Sequence, residues 1–465
     1  MRILPLVLAV ALFMENMDAN VISTSLPAIA SDLDTSPIAL KLALTSYLVS
    51  LAVFIPVSGW MADRFTARRI FRIAIGVFMA GSLLCAASSS LSAFVGARFL
   101  QGIGGAMMSP IARLLLVRST PKADLVLAFS WLTIPALVGP VVGPPIGGFI
   151  TTYSSWHWIF LINIPIGILG IIMASIHLPR DESIIIRPLD WPGFFLSGLG
   201  LSGFIFGLSL ISLPALPQWL GFTMTFTGIL CGLAYIAHAK RTRHPLLDLR
   251  LLQNTIFRIS ITGGNLFRLG IGALPFLLPM MLQLAFGLTP IQSGLITFIS
   301  AVGALGMKFG VNRVFHRFGF RRILLIGTLL SAAFIAINGL FTLATPYVLI
   351  LAPLLFGGFL RSMVFSGVNA LAYADLAQED ISQATPILAV AQQASIALGV
   401  AIAGMVLELC LLTHPESLQL RDFHIAFFVV GGLSALAFLV FYRLPQNAGY
   451  QLAETKPPSS KTLVP

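Results

Sequence analysis

Hydrophobic residues fall along this chain in long unbroken runs, separated by short polar clusters. The alternations of period 3.6 or 2 that mark half-buried elements of a soluble domain are drowned out. A helix needs about 20 mostly apolar residues to cross a bilayer. Fourteen stretches meet that length. In the first part of the chain they run from about 3–27, 42–61, 70–89, 92–117, 126–150 and 158–178. A middle pair follows at about 192–212 and 216–238. The last six lie at about 257–283, 291–311, 323–343, 346–369, 387–410 and 425–444. The longest polar connection, about 239–256, leaves no room for a soluble catalytic domain. Function must therefore use the membrane region or its rims. The pattern predicts an all-α integral membrane protein.

Composition agrees. Of 465 residues, 57% are hydrophobic and only 10% charged, and the mean hydropathy is +0.93. A soluble domain carries about 25% charged residues. Soluble enzymes, nucleic-acid binders and disulfide-stapled secreted domains are excluded. Cys85, Cys231 and Cys410 each sit alone in an apolar run, without metal-ligand spacing. The first run resembles a signal peptide, but Glu15-Asn16-Met17-Asp18 interrupts it and apolar sequence resumes, so it reads as an uncleaved span.

The net charge of +11 changes the picture only once it is placed. With an even number of spans both ends share a side. If that side is cytoplasmic, 21 Lys and Arg lie inside and only Lys41 and Arg421 outside. The remaining five, Arg98, Arg113, Arg268, Lys308 and Arg361, fall within spans. This asymmetry is the positive-inside bias and leaves no reason to invoke nucleic acid.

Two basic loops repeat each other at an offset of 253. Gly59 to Phe71 follows span two, and Asn312 to Leu324 follows span ten, so that Arg64/Arg317, Phe65/Phe318, Arg68/Arg321 and Arg69/Arg322 coincide. The plan is thus six helices (1–180), an inserted pair with its loops (181–250), six more helices (251–445) and an unfolded tail (446–465). Gly59, Asp63, Arg64, Arg68, Arg69, Arg317 and Arg321 form a charged cluster that could latch helices in one conformation and release them in another. His316 stands where the first copy has Asp63, so the second latch is expected to be weaker.

Four further stretches give these loops a context: Arg98-Phe99-Leu100-Gln101-Gly102-Ile103-Gly104-Gly105-Ala106 in span four, Gly139-Pro140-Val141-Val142-Gly143-Pro144-Pro145-Ile146-Gly147-Gly148 in span five, Met17 to Pro27 at the first span, and Trp156 to Pro165 at the start of span six. With the Gly59–Arg69 loop, they make the chain resemble the fourteen-span drug:proton antiporters of the major facilitator superfamily. Asn20, Ser23 and His157 depart from that group's usual residues. The resemblance implies a proton-coupled exporter with its substrate site between two six-helix halves. It implies no cofactor, a bacterial inner-membrane location with cytoplasmic ends, and a monomer or a partner of a periplasmic adaptor.

The residues themselves add chemistry. Glu15 and Asp18 lie three apart near the middle of span one and share a helical face. Isolated ionised acids are costly in hydrocarbon, so they must meet a cavity or a cation. Arg98 lies within a few ångströms of the depth of Asp18, counted at about 1.5 Å per residue. A carboxylate that exchanges a proton for an arginine or a cationic substrate is the minimum apparatus of antiport. Asp18 is the expected proton carrier, Arg98 its coupling partner and Glu15 an auxiliary acid that would favour cations. Gly139, Gly143 and Gly147 form a strip for close helix approach, and Pro140 and Pro144 loosen the same helix. Together they suit a helix bending or sliding at the seam between halves. Arg268 and Arg361 are deep charges in the second half, where an anionic or zwitterionic compound could meet them. Gln283, Asn265, Asn369, Gln392 and Gln393 are weaker pocket candidates. The match of Gly198 to Gly203 to a dinucleotide fingerprint lies inside span seven with no strand beside it and fails. No metal-ligand cluster and no P-loop lysine appears, so an enzyme or an ATP-driven pump is not expected. The alternatives are a dedicated metabolite or amino-acid exporter, and a sensor or scaffold that does not transport.

Overall fold

A computed structural model describes residues 3–120, 125–179, 188–211, 217–308, 310–377, 380–412, 418–446 and 448–449. Arg2, Lys122, Arg180, Arg187, Lys456 and Lys461 of the charge count, and almost all of the 446–465 tail, lie outside the described residues.

Fourteen helices are long and apolar enough to cross a membrane. The first half comprises α1 (Ile3–Thr24), α2 (Pro37–Phe65), α3 (Ala67–Ala86), α4 (Leu91–Ser119), α5 (Trp131–Tyr153) and α6 (Trp158–His177). The inserted pair is α7 (Trp191–Ile211) and α8 (Gln218–Arg241). The second half comprises α9 (Thr255–Ala285), α10 (Pro290–Lys308), α11 (Phe320–Leu340), α12 (Tyr347–Ala372), α13 (Gln383–Leu411) and α14 (Leu420–Phe441). The ends of α2, α4, α8 and the starts of α9 and α11 carry the arginines, which defines a basic face. The opposite side is the far face.

The basic turns of the two halves share a backbone. Thr66 between α2 and α3 has φ 68° and ψ 136°, and Gly319, at the repeat offset before α11, has φ 74° and ψ 156°. Glycine adopts this conformation freely, whereas a β-branched residue is strained in it. One residue pair on, Arg68 donates to the carbonyl of Ser175 at the end of α6, and Arg321 donates to the carbonyl of Tyr442 at the end of α14 at 3.1 Å. In each half the arginine thus satisfies an orphan carbonyl of the last helix. Sequence spacing placed a loop before span eleven; the structure puts a short helix there, Val311–Phe318.

The buried apolar residues divide unequally. Near the far face one cluster joins both halves, with Val21, Ile22 and Phe160 packed beside Leu277, Met281 and Leu407. Toward the basic face the cores are separate. One contains Leu8, Phe71, Phe78 and Leu115, the other Phe267, Phe315, Leu324 and Phe441. The halves are therefore sealed together at the far side and parted at the basic side. Lys41, counted as a residue of an outer loop, is fully buried at the start of α2 and ion-paired with Glu408 of α13 across this seal. Its place at the edge of an apolar run concealed that partner. The inserted pair packs through Ile205 against Val49 of α2 and Ala397 of α13, covering the outside of the seam. Its second span, α8, is only 17% buried, against 78% of α2, so it lies at the outside of the bundle.

Candidate functional site

Asp18 sits in the middle of a buried polar cluster built from five helices of the first half. Its carboxylate accepts from Arg98 Nη1 at 2.6 Å, and from Gln101 Nε2 and Asn163 Nδ2 at 2.9 Å each. Gln101 also accepts from Arg98 at 2.5 Å and donates to Ser82 of α3 at 2.8 Å. The Tyr47 ring of α2 lies under the guanidinium, 4.3 Å from it. Asp18, Arg98, Gln101 and Asn163 are at most 1% exposed. The carboxylate thus meets a cation and two amide donors, all charge-assisted bonds in a buried site. Among the described residues, Arg98 Nε, Tyr47 Oη and Asn163 Oδ1 make no hydrogen bond. The sequence singled out Asp18 and Arg98, and the fold brings them together. It did not assign roles to Gln101 or Asn163. Gln101 was visible as the residue one turn after Arg98, but a neutral amide in a span carries no signal of its own. Glu15 accepts from Ser109 of α4 at 2.7 Å.

Close approach explains how α1 is held. A Cβ added at Gly139, Gly143 or Gly147 of α5 would come within 2.9, 3.0 or 2.2 Å of atoms of α1 or its last turn. The glycine strip therefore seats α1 within the first half. The seam lies on another edge of α5, where a Cβ on Gly148 would meet the Pro290 carbonyl of the second half at 2.4 Å.

Between the halves, on the basic side of the seal, lies a cavity of about 420 Å³, the size of a small-ligand site. From the first half it is lined by Asn20 and Ser23 of α1 and by Pro140, Val141 and Pro144 of α5. From the second half come Ile271, Leu278, Ser300, Lys308, Arg361 and Phe365, among others. Asp18 and Asn20 point to opposite sides of α1, so one helix separates the ionic cluster from the cavity.

The other candidates fall around this frame. Arg361 lines the cavity and donates to Ser300 Oγ. Arg268 lies behind the wall, 1% exposed, bonded to Asn369 Oδ1 at 2.7 Å with its guanidinium 5.2 Å from the Phe365 ring. Asn265 sets its side-chain amide against Ser395 of α13, to which it would donate once its amide oxygen and nitrogen are exchanged. Gln283 crosses the far-face seal to the Thr24 carbonyl at 2.8 Å. Asn265, Asn369, Gln283, Gln392 and Gln393 do not line the cavity. Lys308, counted above only as a charge within a span, does line it. Among the described residues of the basic cluster, Asp63 pairs with Arg118 at the end of α4, at 3.0 Å, and not with Arg64, Arg68 or Arg69. Gly59 faces open space, with no atom within 4 Å of an added Cβ. Arg69 and Arg317 are exposed.

Known proteins place this architecture. The profile of the Major Facilitator Superfamily matches residues 8–239 and 261–463. The chain is 37% identical over 448 residues to "Putative multidrug resistance protein MdtD" of Klebsiella pneumoniae subsp. pneumoniae, covering 95% of this chain and 94% of that protein. It is 36% identical over 446 residues to the protein of the same name from Pectobacterium carotovorum subsp. carotovorum, covering 95% of each. Among solved structures, a D-xylose–proton symporter superposes with a TM-score of 0.69 at 18% identity, over 96% of this chain and 98% of that one. An auto-inhibited peptide transporter of the POT family gives 0.69 at 15% identity, over 98% and 99%. With its fourteen helices, its two packed halves and the central cavity between them, the chain belongs to the Major Facilitator Superfamily and is a multi-pass membrane secondary transporter.

Proposed function

We propose that this protein is a proton-coupled multidrug exporter of a bacterial inner membrane, with its basic face in the cytoplasm. It takes small amphipathic compounds into the cavity and releases them at the far face by alternating access. One observation carries the reading: α1 presents the Asp18–Arg98 cluster on one side and the cavity wall, Asn20 and Ser23, on the other. Protonating Asp18 removes the charge that anchors Arg98, Gln101 and Asn163. The guanidinium, left without its counterion, must find new acceptors, and α1 moves with the cluster. Because α1 also walls the cavity, proton occupancy and substrate occupancy act on one rigid element, which is the differential interaction that coupling demands. The relatives named for multidrug resistance support export. No cofactor is needed, since the proton gradient supplies the work.

The experiment is susceptibility of an efflux-deficient bacterial host expressing wild type or Asp18→Asn at matched levels, against cationic, neutral and anionic compounds. The expected outcome is resistance with the wild type and none with the variant. Undiminished resistance from Asp18→Asn sinks the role of Asp18. No resistance from well-expressed wild type counts against drug export altogether.

A further inference from the structure

The cavity has a sign. Among the described residues, its lining includes two cations, Lys308 and Arg361, and no aspartate or glutamate. Their partners are neutral hydroxyls: Ser366 Oγ for Lys308 at 2.9 Å, and Ser300 Oγ for Arg361. A guanidinium offers five N–H donors and an ammonium three, so both keep donors to spare. Arg268, just behind Phe365 of the same wall, makes no ion pair among the described residues, and its Nε and Nη1 are without a hydrogen bond there. The second half thus presents three cations from α9, α10 and α12 without an acid among them.

The nearby intramembrane acids are committed elsewhere. Asp18 is paired with Arg98, and Glu408 with Lys41. Glu15 is bonded to Ser109 and does not line the cavity. Cations paired only with neutral hydroxyls repel a positive ligand and attract a negative one, most strongly at Arg361, which is buried. Most of the rest of the wall is apolar, with Leu137, Val141, Ile271, Leu274, Leu278 and Phe365 offering a surface for a hydrocarbon or aromatic body between the polar Asn20, Ser23, Thr297, Ser300 and Ser362.

We infer that the cavity selects amphipathic monoanions: a carboxylate or sulfonate head held by Arg361 and Lys308, with an apolar body against the aliphatic wall. This rests on the reading of the cavity as the site of the transported compound. It reverses the preference for cations that a titrating Glu15 suggests.

The test is direct binding to the purified full chain in lipid nanodiscs, read by calorimetry. The probes are 4-phenylbutyrate, 4-phenylbutanol and 4-phenylbutylamine, which share a body and differ only in head group. The wild type is expected to bind the carboxylate at least about tenfold more tightly than the ammonium, the size of a single charge-assisted contact. Arg361→Gln loses most of that margin, weakening the carboxylate far more than the alcohol. Lys308→Gln, at the exposed rim, reduces it in part and serves where Arg361→Gln fails to fold. Equal or tighter binding of the ammonium overturns the anion selectivity while leaving export intact. So does a Lys308→Gln variant that keeps the full margin. If none of the three probes binds, the cavity is not the substrate site, and the reading beneath this one falls with it.

Discussion

At the scale of single residues, the internal repeat exposes a strained position. Thr66 adopts the backbone that its counterpart Gly319 adopts without a side chain. A non-glycine residue in that region costs on the order of 1–3 kcal/mol. Thr66→Gly should raise thermal stability by up to about that amount, and Gly319→Thr should lower it comparably, both measured as melting of the purified protein. Equal melting of both variants and the wild type would contradict the strain. Residue-level chemistry was legible where charge and depth could be counted along a span, as for Asp18 and Arg98. It was illegible where the informative fact was a partner elsewhere in the chain. Lys41 looked like a loop lysine because Glu408 stands 367 residues away. Gln101 and Asn163 were silent because an amide is equally at home on a packing surface.

At the scale of the element, α5 shows why a glycine motif needs a structure before it acquires a role. Its glycine edge seats α1, its prolines line the cavity, and its far end meets α10. The strip was visible in the sequence, but not which neighbour it touched. Gly147→Ala would place a Cβ 2.2 Å from the Val21 carbonyl, a backbone atom that cannot swing away. It should cost about 1–3 kcal/mol of stability, as overpacking does. Gly59→Ala, in open space, should leave stability unchanged in this conformation. Comparable losses from both would mean that the packing around α1 is not what the strip provides. The helices themselves were legible because length and hydropathy alone decide what can span a bilayer. The π turn Met281–Ala285 that ends α9, beyond Pro275 and Pro279, left no comparable trace.

At the scale of the whole molecule, one apolar core and one buried ion pair hold the far face shut while the basic face is parted. Breaking a buried pair by removing one member costs roughly 3–5 kcal/mol, because the other charge is left stranded. Lys41→Met should therefore destabilise severely, whereas Lys41→Met with Glu408→Gln should recover folding and open the far face more often. Melting of both proteins checks the first statement, and far-face accessibility of an introduced cysteine to a membrane-impermeant reagent checks the second. A double variant no more stable than the single one would show that the pair is not the fastening. The six-plus-two-plus-six plan could be read from the offset of 253 between loops, whereas the conformation could not, since one sequence must serve every state of the cycle.

The coupling of α1 to protons is the centre of this account, and flux in proteoliposomes tests it most directly. Wild type and Asp18→Asn would be reconstituted with a trapped pH-sensitive dye and given a compound to which the wild type confers resistance. The wild type should move protons against the compound whenever the compound is added. Asp18→Asn should move none, yet still exchange labelled compound across the membrane without a gradient. Compound-driven proton flux that persists in Asp18→Asn would contradict the account and place the proton elsewhere.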